Sequence, residues 1–142
     1  MSRILAIDYG KKRVGIAVTD ELQIIAGPLT TVNSHDIIAF LKDYFSKEHV
    51  ELIVVGKPTQ MSGEDSESMV YVTAFLKNLK KQFPDYPVEL VDERFTSKNA
   101  SLAIAQAGLK KKVREDKALI DKVSATIILQ HFLTARDFRR TL

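Results

Sequence analysis

Acidic residues at three separated places could do chemistry together: Asp8 closing an apolar run, Asp92 and Glu93 closing another, and Asp121 near the start of the last helical stretch. Strand alternation in Arg3-Ile4-Leu5-Ala6-Ile7-Asp8 points Asp8 out of the same sheet face as Ile4 and Ala6. A carboxylate beside a buried strand costs on the order of several kcal/mol unless a cation or hydrogen bonds compensate, so a metal or a basic group is expected close by. Carboxylates gathered in one cleft repel one another, and a divalent cation relieves the repulsion. An all-oxygen donor set favours Mg²⁺ or Mn²⁺ over zinc. The chemistry such a set supports is phosphodiester hydrolysis. Two ions roughly 4 Å apart acidify an attacking water and stabilise the leaving oxygen without a covalent protein nucleophile.

Each position also has a plainer explanation. Asp8 can cap the turn before Gly10, Asp92-Glu93-Arg94 can be a local ion pair at a strand end, and an acidic residue near a helix N-terminus suits the helix dipole. Strand alternation cannot choose between Asp92 and Glu93, which point to opposite faces. Lys11, Lys12 and Arg13 lie beside Asp8, and Lys110, Lys111, Lys112 and Arg114 precede the last helix. These runs suit either a solvated surface or the guidance of a phosphate chain. His35, His49 and His131 have no ligand spacing and read as surface or partly packed residues. With no cysteine, disulfides and thiol catalysis are excluded.

The elements that must position these groups follow the same periodicities. Asp8 ends a first strand, Gly10 opens a turn, and Val14 to Thr19 forms a second strand interrupted by Gly15, a mark of a bulge or a close backbone approach. Gln23 to Val32 reads as a third strand, confined to a sheet edge by Pro28. Ser34 is placed to cap a helix carrying Ile37, Ile38, Leu41, Tyr44 and Phe45. The continuous apolar run Glu51 to Gly56 suits a parallel strand covered on both faces, and a polar loop over 56–64 follows at its C-terminal end, where open α/β sheets bind ligands. A helix from about Ser66 to Gln82 ends before Pro84. Pro87 to Glu93 is the last strand, Thr96 or Ser97 starts a helix reaching Ala107 with Gly108 as its stop, and a final helix runs from about Ala118 with Ile120, Val123, Ile127 and Leu133 on one stripe. Short turns join antiparallel strands and helical crossovers join parallel ones. The expected fold is therefore α/β, a five-stranded mixed sheet with an antiparallel meander plus parallel strands and helices on both faces, the plan of the ribonuclease H-like fold.

At 142 residues the chain suits one domain, 1–142, with an ordinary core. Its 45% hydrophobic and 27% charged residues fit a soluble globular protein, and no apolar run approaches a membrane span, so a cytoplasmic protein with no membrane partner is expected. The net charge of +3 permits a nucleic-acid partner without demanding one.

Taken together the residues become specific. Asp8-x-Gly10-x-x-Arg13-x-Gly15-x-Ala17-x-x-Asp20, Gly56-x-Pro58 with Gly63, Asp92-Glu93-Arg94-x-Thr96, and Asp121-x-x-Ser124-Ala125-x-x-Ile128-Leu129-Gln130 occur in this order along the chain. The chain resembles the YqgF-type proteins, Holliday-junction-resolvase-like bacterial proteins also described as nucleases for the 5′ end of precursor 16S ribosomal RNA. It departs from their usual pattern at Ser124, where alanine is common, and at Lys57, where an apolar residue is usual. The resemblance implies a catalytic, metal-binding triad at Asp8, Glu93 and Asp121, with Arg13 and Arg94 contacting phosphate or supporting the triad. It also implies a partner in precursor rRNA or branched DNA, acted on by a monomer or weak homodimer. Binding of nucleic acid or ribosomal precursors without cleavage is the alternative from outside the enzyme class.

Overall fold

The computed structural model describes residues 2–58, 69–93 and 117–141. Five strands, β1 (Arg3–Tyr9), β2 (Arg13–Thr19), β3 (Ala26–Asn33), β4 (Val50–Pro58) and β5 (Val88–Glu93), form one sheet in the order β3-β2-β1-β4-β5. The first three run antiparallel through short turns, whereas β4 lies parallel to β1 and β5 parallel to β4, each reached by a crossover. This is the expected mixed sheet, with β1 at its centre. Pro28 lies on edge strand β3, opposite Ala17 just past a register shift, where its missing N–H interrupts no inner ladder.

Two cores lie on the two sheet faces. Helices α1 (Ile37–Lys47) and α2 (Met69–Gln82) cover one, burying Leu5, Ile7, Val14, Ile16, Ile53 and Val55 with Leu41, Val72, Phe75 and Leu79. The long helix α3 (Lys117–Arg140) covers the other, packing Ala125, Ile128, Leu129, Phe132 and Leu133 on Ile4, Ala6, Ala17 and Val54. Each fully buried Leu or Ile contributes on the order of 2 kcal/mol. The buried stripe of α3 differs from the expected one. Ile120, Val123 and Ile127 are only partly buried, because the small residues Ala6 and Ala17 draw the neighbouring face of the helix inward. Ser124 is buried on this helix, its hydroxyl without a hydrogen-bond partner among the described residues.

Other boundaries also shift for local reasons. Ser34 does not cap α1; it starts a 3₁₀ turn (Ser34–Asp36), and its hydroxyl donates to the Lys11 carbonyl at 2.7 Å while its N–H donates to the Lys12 carbonyl at 3.0 Å. The start of α1 is thereby tied to the β1–β2 turn. Strand β3 begins at Ala26 rather than Gln23, because 20–25 is a built loop. Of the sequence expectations, the remainder of the 56–64 loop beyond Pro58, the first turn of the helix from Ser66, and the helix over 96–107 with its stop at Gly108 lie outside the described residues. Among those residues no helix is long and apolar enough to cross a membrane.

The 20–25 loop is organised by one side chain. The Asp20 carboxylate accepts from the backbone N–H groups of Leu22 at 3.1 Å and of Ile24 and Ile25 at 2.8 Å each. Gln23 takes a left-handed conformation, φ 59°, and Arg136 of α3 holds it there, Nη1 donating to its Oε1 at 2.7 Å and Nη2 to its carbonyl at 3.1 Å. The N–H of Ile25 does most to favour the charged form of Asp20; desolvation opposes it, the N–H groups of Ile24 and Leu22 add to it, and the pKa falls below the ordinary 3.8. A carboxylate whose folded-state pKa is depressed adds stability that is complete above the unfolded-state value and is lost as pH falls through the folded-state one. We therefore expect Asp20→Ala to lower the urea midpoint at pH 7, and the gap between wild type and variant to narrow when the titration is repeated between pH 4 and pH 2. A gap that does not change over that range would show that the carboxylate does not hold the loop.

Candidate active site

The site is assembled at the C-terminal end of β1 by a contact that needs no side chain. Gly15 of β2 pairs with Asp8 of β1, and residues directly opposite across an antiparallel pair share a face. That face is the one α3 covers, since Ile4 and Ala6 precede Asp8 on it in strand alternation. At Gly15 the helix backbone comes so near that a Cβ would overlap the Asp121 carbonyl and lie 3.1 Å from the Asp121 Cα. Asp8 and Asp121 therefore flank one glycine on one side of the sheet.

Arg13, two residues before Gly15 and on the same face, completes the group. Its Nε donates to Asp121 Oδ2 at 2.8 Å, across 108 residues of sequence. Both side chains are partly exposed, 38% for Arg13 and 21% for Asp121. At that exposure the pair adds little to stability, and its main effect is to orient the carboxylate. Asp121 lies in the second turn of α3, where the helix dipole has largely faded, so its partner explains its place better than the helix end does. On edge strand β3, the Thr31 hydroxyl donates to the Ala118 carbonyl at 2.6 Å and pins the first turn of α3 to the sheet.

The register of β5 separates the two acidic positions at its end. Val91 pairs with Gly56 and packs with the α3 core, whereas Val88 packs with the opposite core. Asp92, in step with Val88 and Leu90 and paired with Lys57, falls on the face away from α3. Position 93, paired with Pro58, is in step with Val91. Glu93 is described through its backbone alone, and among the described residues no three acidic or histidine side chains are grouped to hold a metal. The structure thus brings together Asp8, Asp121 and Arg13. Lys11 and Lys12 sit in the adjoining turn, both exposed, with the Lys11 ammonium 5.4 Å from the centre of the Tyr71 ring on α2. Arg94, Lys110, Lys111 and Lys112 lie outside the described residues. The sequence signalled Gly15 as a close approach; that the approaching group is the backbone of Asp121 was not readable from it.

Three comparisons bear on this arrangement. Residues 2–135 match the model of the RuvX family, described as Holliday junction resolvase. A protein of Flavobacterium psychrophilum is 57% identical over 136 residues, 96% of this chain and 99% of its own, and one of Bacteroides thetaiotaomicron is 56% identical over 138 residues, 97% of this chain and 100% of its own. Both carry the name "Putative pre-16S rRNA nuclease". Among solved structures, Thermus thermophilus RuvC in complex with a Holliday junction substrate aligns with a TM-score of 0.55 at 20% identity, covering 96% of each chain. The fowlpox virus resolvase, also with Holliday junction DNA, aligns at 0.55 with 11% identity over 94% of this chain and 97% of its own. At those identities the likeness shows the fold, which is the ribonuclease H-like one.

The two glycines facing α3 should respond differently to substitution. A Cβ at Gly15 meets helix backbone, which cannot yield locally, whereas one at Gly56 meets the end of the Ile128 side chain, Cδ1 at 2.5 Å and Cγ1 at 3.2 Å, which can rotate. Gly15→Ala is expected to cost about 3 kcal/mol or more by chemical denaturation and Gly56→Ala nearer 1 kcal/mol. Equal tolerance of the two changes would contradict the close approach of α3.

Proposed function

The chain belongs to the RuvX family, and from that premise we propose that it is a metal-dependent nuclease, a hydrolase of phosphodiester bonds that matures the 5′ end of precursor 16S ribosomal RNA. The observation that carries this reading is the pairing of Asp8 with Gly15 beneath Asp121, which sets two acidic residues distant in sequence at one end of one sheet face. Their all-oxygen chemistry fits Mg²⁺ or Mn²⁺, with Asp8, Asp121 and Glu93 as the residues that would hold it. Register supports Glu93 over Asp92 for the third place, since position 93 alternates onto the α3 face. A bound cation would supply the positive charge that acidifies an attacking water and stabilises the leaving oxygen.

The chain's own groups prepare that chemistry. Asp8 presents an acceptor at the end of a rigid central strand. Arg13 holds Asp121 in one orientation and adds a cationic fork of a shape suited to phosphate oxygens. Lys11 and Lys12, exposed in the turn that follows β1, add positive charge at this end of the sheet that would attract a phosphate chain. The chain acts as one domain over 1–142, in the cytoplasm where that substrate is found. Support for the substrate comes from the names of the relatives above. The family description and the two junction-bound structures favour a second reading, resolution of branched DNA, which needs two copies to cut two strands symmetrically. A monomer or weak homodimer is the state proposed here.

Labelled precursor 16S rRNA and a four-way DNA junction, each with and without Mg²⁺, separate the readings. Wild type is expected to cut the RNA only with the cation. Asp8→Asn and Asp121→Asn are expected to lower the cleavage rate by about a thousandfold, the worth of several kcal/mol of lost charge stabilisation, while binding stays within about threefold. Cleavage retained in Asp8→Asn would end the metal-site reading, and cutting of the junction alone would select the resolvase. In the same binding assay, Lys11→Ala and Lys12→Ala are each expected to lower the salt slope by about 1. An unchanged slope would assign both lysines to plain surface.

A further inference from the structure

Beside Arg13 a cleft of about 670 Å³ opens at edge strand β3, within the range of small-ligand sites. It is lined by Arg13 and Asn33 from the paired ends of β2 and β3, Thr31 further along β3, Asp36 at the end of the 3₁₀ turn, Phe40 in the first turn of α1, and Ala118 in the first turn of α3. Arg13 belongs both to this cleft and to the pair with Asp121, so the cleft and the Asp121 carboxylate are joined through one side chain. The shape is stiff. Thr31 is bonded to Ala118, and Ser34 ties the start of α1 to the Lys11–Lys12 turn. Phe40 is braced by Tyr44 one turn along, their rings 6.0 Å apart and 17° from parallel.

We propose that this cleft holds an unpaired nucleotide of the substrate strand next to the bond that is cut, its base against Phe40 and its phosphate at Arg13. The proposal rests on the nuclease reading and adds a substrate feature to it, a single-stranded stretch flanking the cleavage position. An aromatic ring recognises a base by stacking, which requires a base out of the helical stack. Asn33 offers both donor and acceptor to a base edge. Asp36 is an acceptor only. It would repel a phosphate, so on this wall it suits the amino and imino N–H groups that an unpaired base exposes. The cation and the carboxylate thus divide the cleft, backbone toward Arg13 and base toward Asp36. Inside a duplex both faces of each base are covered by its neighbours, which leaves none to place on Phe40.

The test uses the full chain carrying Asp8→Asn, which on the nuclease reading is expected to bind without cutting, and hairpin probes that are either blunt or carry a four-nucleotide tail of RNA or DNA with 2-aminopurine in the tail. Stacking on Phe40 is expected to quench the 2-aminopurine on binding for both tails. Phe40→Leu should abolish the quenching and weaken the tailed probes about tenfold, with less than twofold effect on the blunt one. Phe40→Tyr should restore both, and Asn33→Ala, at an exposed position, should weaken only the tailed probes about threefold. Loss on blunt and tailed probes alike, or no quenching with Phe40 intact, overturns the proposal, and the second result stands even if Phe40→Leu fails to fold. Cleavage by the wild-type chain without tail quenching removes the cleft alone, whereas quenching without metal-dependent cleavage by wild type removes the nuclease reading alone.

Discussion

The approach of α3 to the sheet at Gly15 is the constraint on which the rest depends. A helix normally rides on a sheet at the distance set by its side chains. Here a glycine under the Asp121 carbonyl removes that spacer at one point, and the helix backbone drops onto the strand. The remaining contacts agree with a close approach. Ala6 and Ala17 lie under α3, Gly56 meets Ile128, and Thr31 bonds the helix's first turn. Small residues on the α3 face of β1, β2 and β4 thus bring the acidic turn of the helix to the end of β1.

The two sheet faces therefore do different work. On the α1/α2 face, Leu, Ile, Val and Phe side chains fill an ordinary core, extended at its margin by the ring cluster of Phe45, Phe83 and Tyr86. Among the described residues the larger of the two buried apolar clusters lies there. The α3 face gives up side-chain volume for proximity. Such a division lets acidic groups converge at one end of a sheet whose other layer keeps it rigid, as a site requires when charges must stay placed.

Electrostatics at the site follow from the same geometry. Asp121 is held by Arg13, whose root lies on a strand flanked by two partners and whose guanidinium is oriented by the carboxylate it bonds. A pair this exposed contributes little to folding. Its value is positional, and because Arg13 also lines the cleft at β3, the orientation of a carboxylate and the shape of the neighbouring groove are coupled through one guanidinium.

Much of this was legible in the chain itself. The alternation of Ile4, Ala6 and Asp8, the continuous run before Gly56, the edge placement of Pro28 and the order of short turns and crossovers determine the sheet and its topology, because hydrophobic period and connection length are local properties. The ordered motifs determine the family. Tertiary structure alone decided which face of α3 is buried, that Ser34 ties a turn instead of capping a helix, that Asp20 builds the loop before β3, and that Asp92 lies away from Asp8. Each of these depends on what stands opposite in space: small residues under a helix, a carbonyl within reach of a hydroxyl, a register that assigns one of two adjacent acids to a face. Periodicity determines which residues can share a face, and only the packed neighbours decide what that face meets.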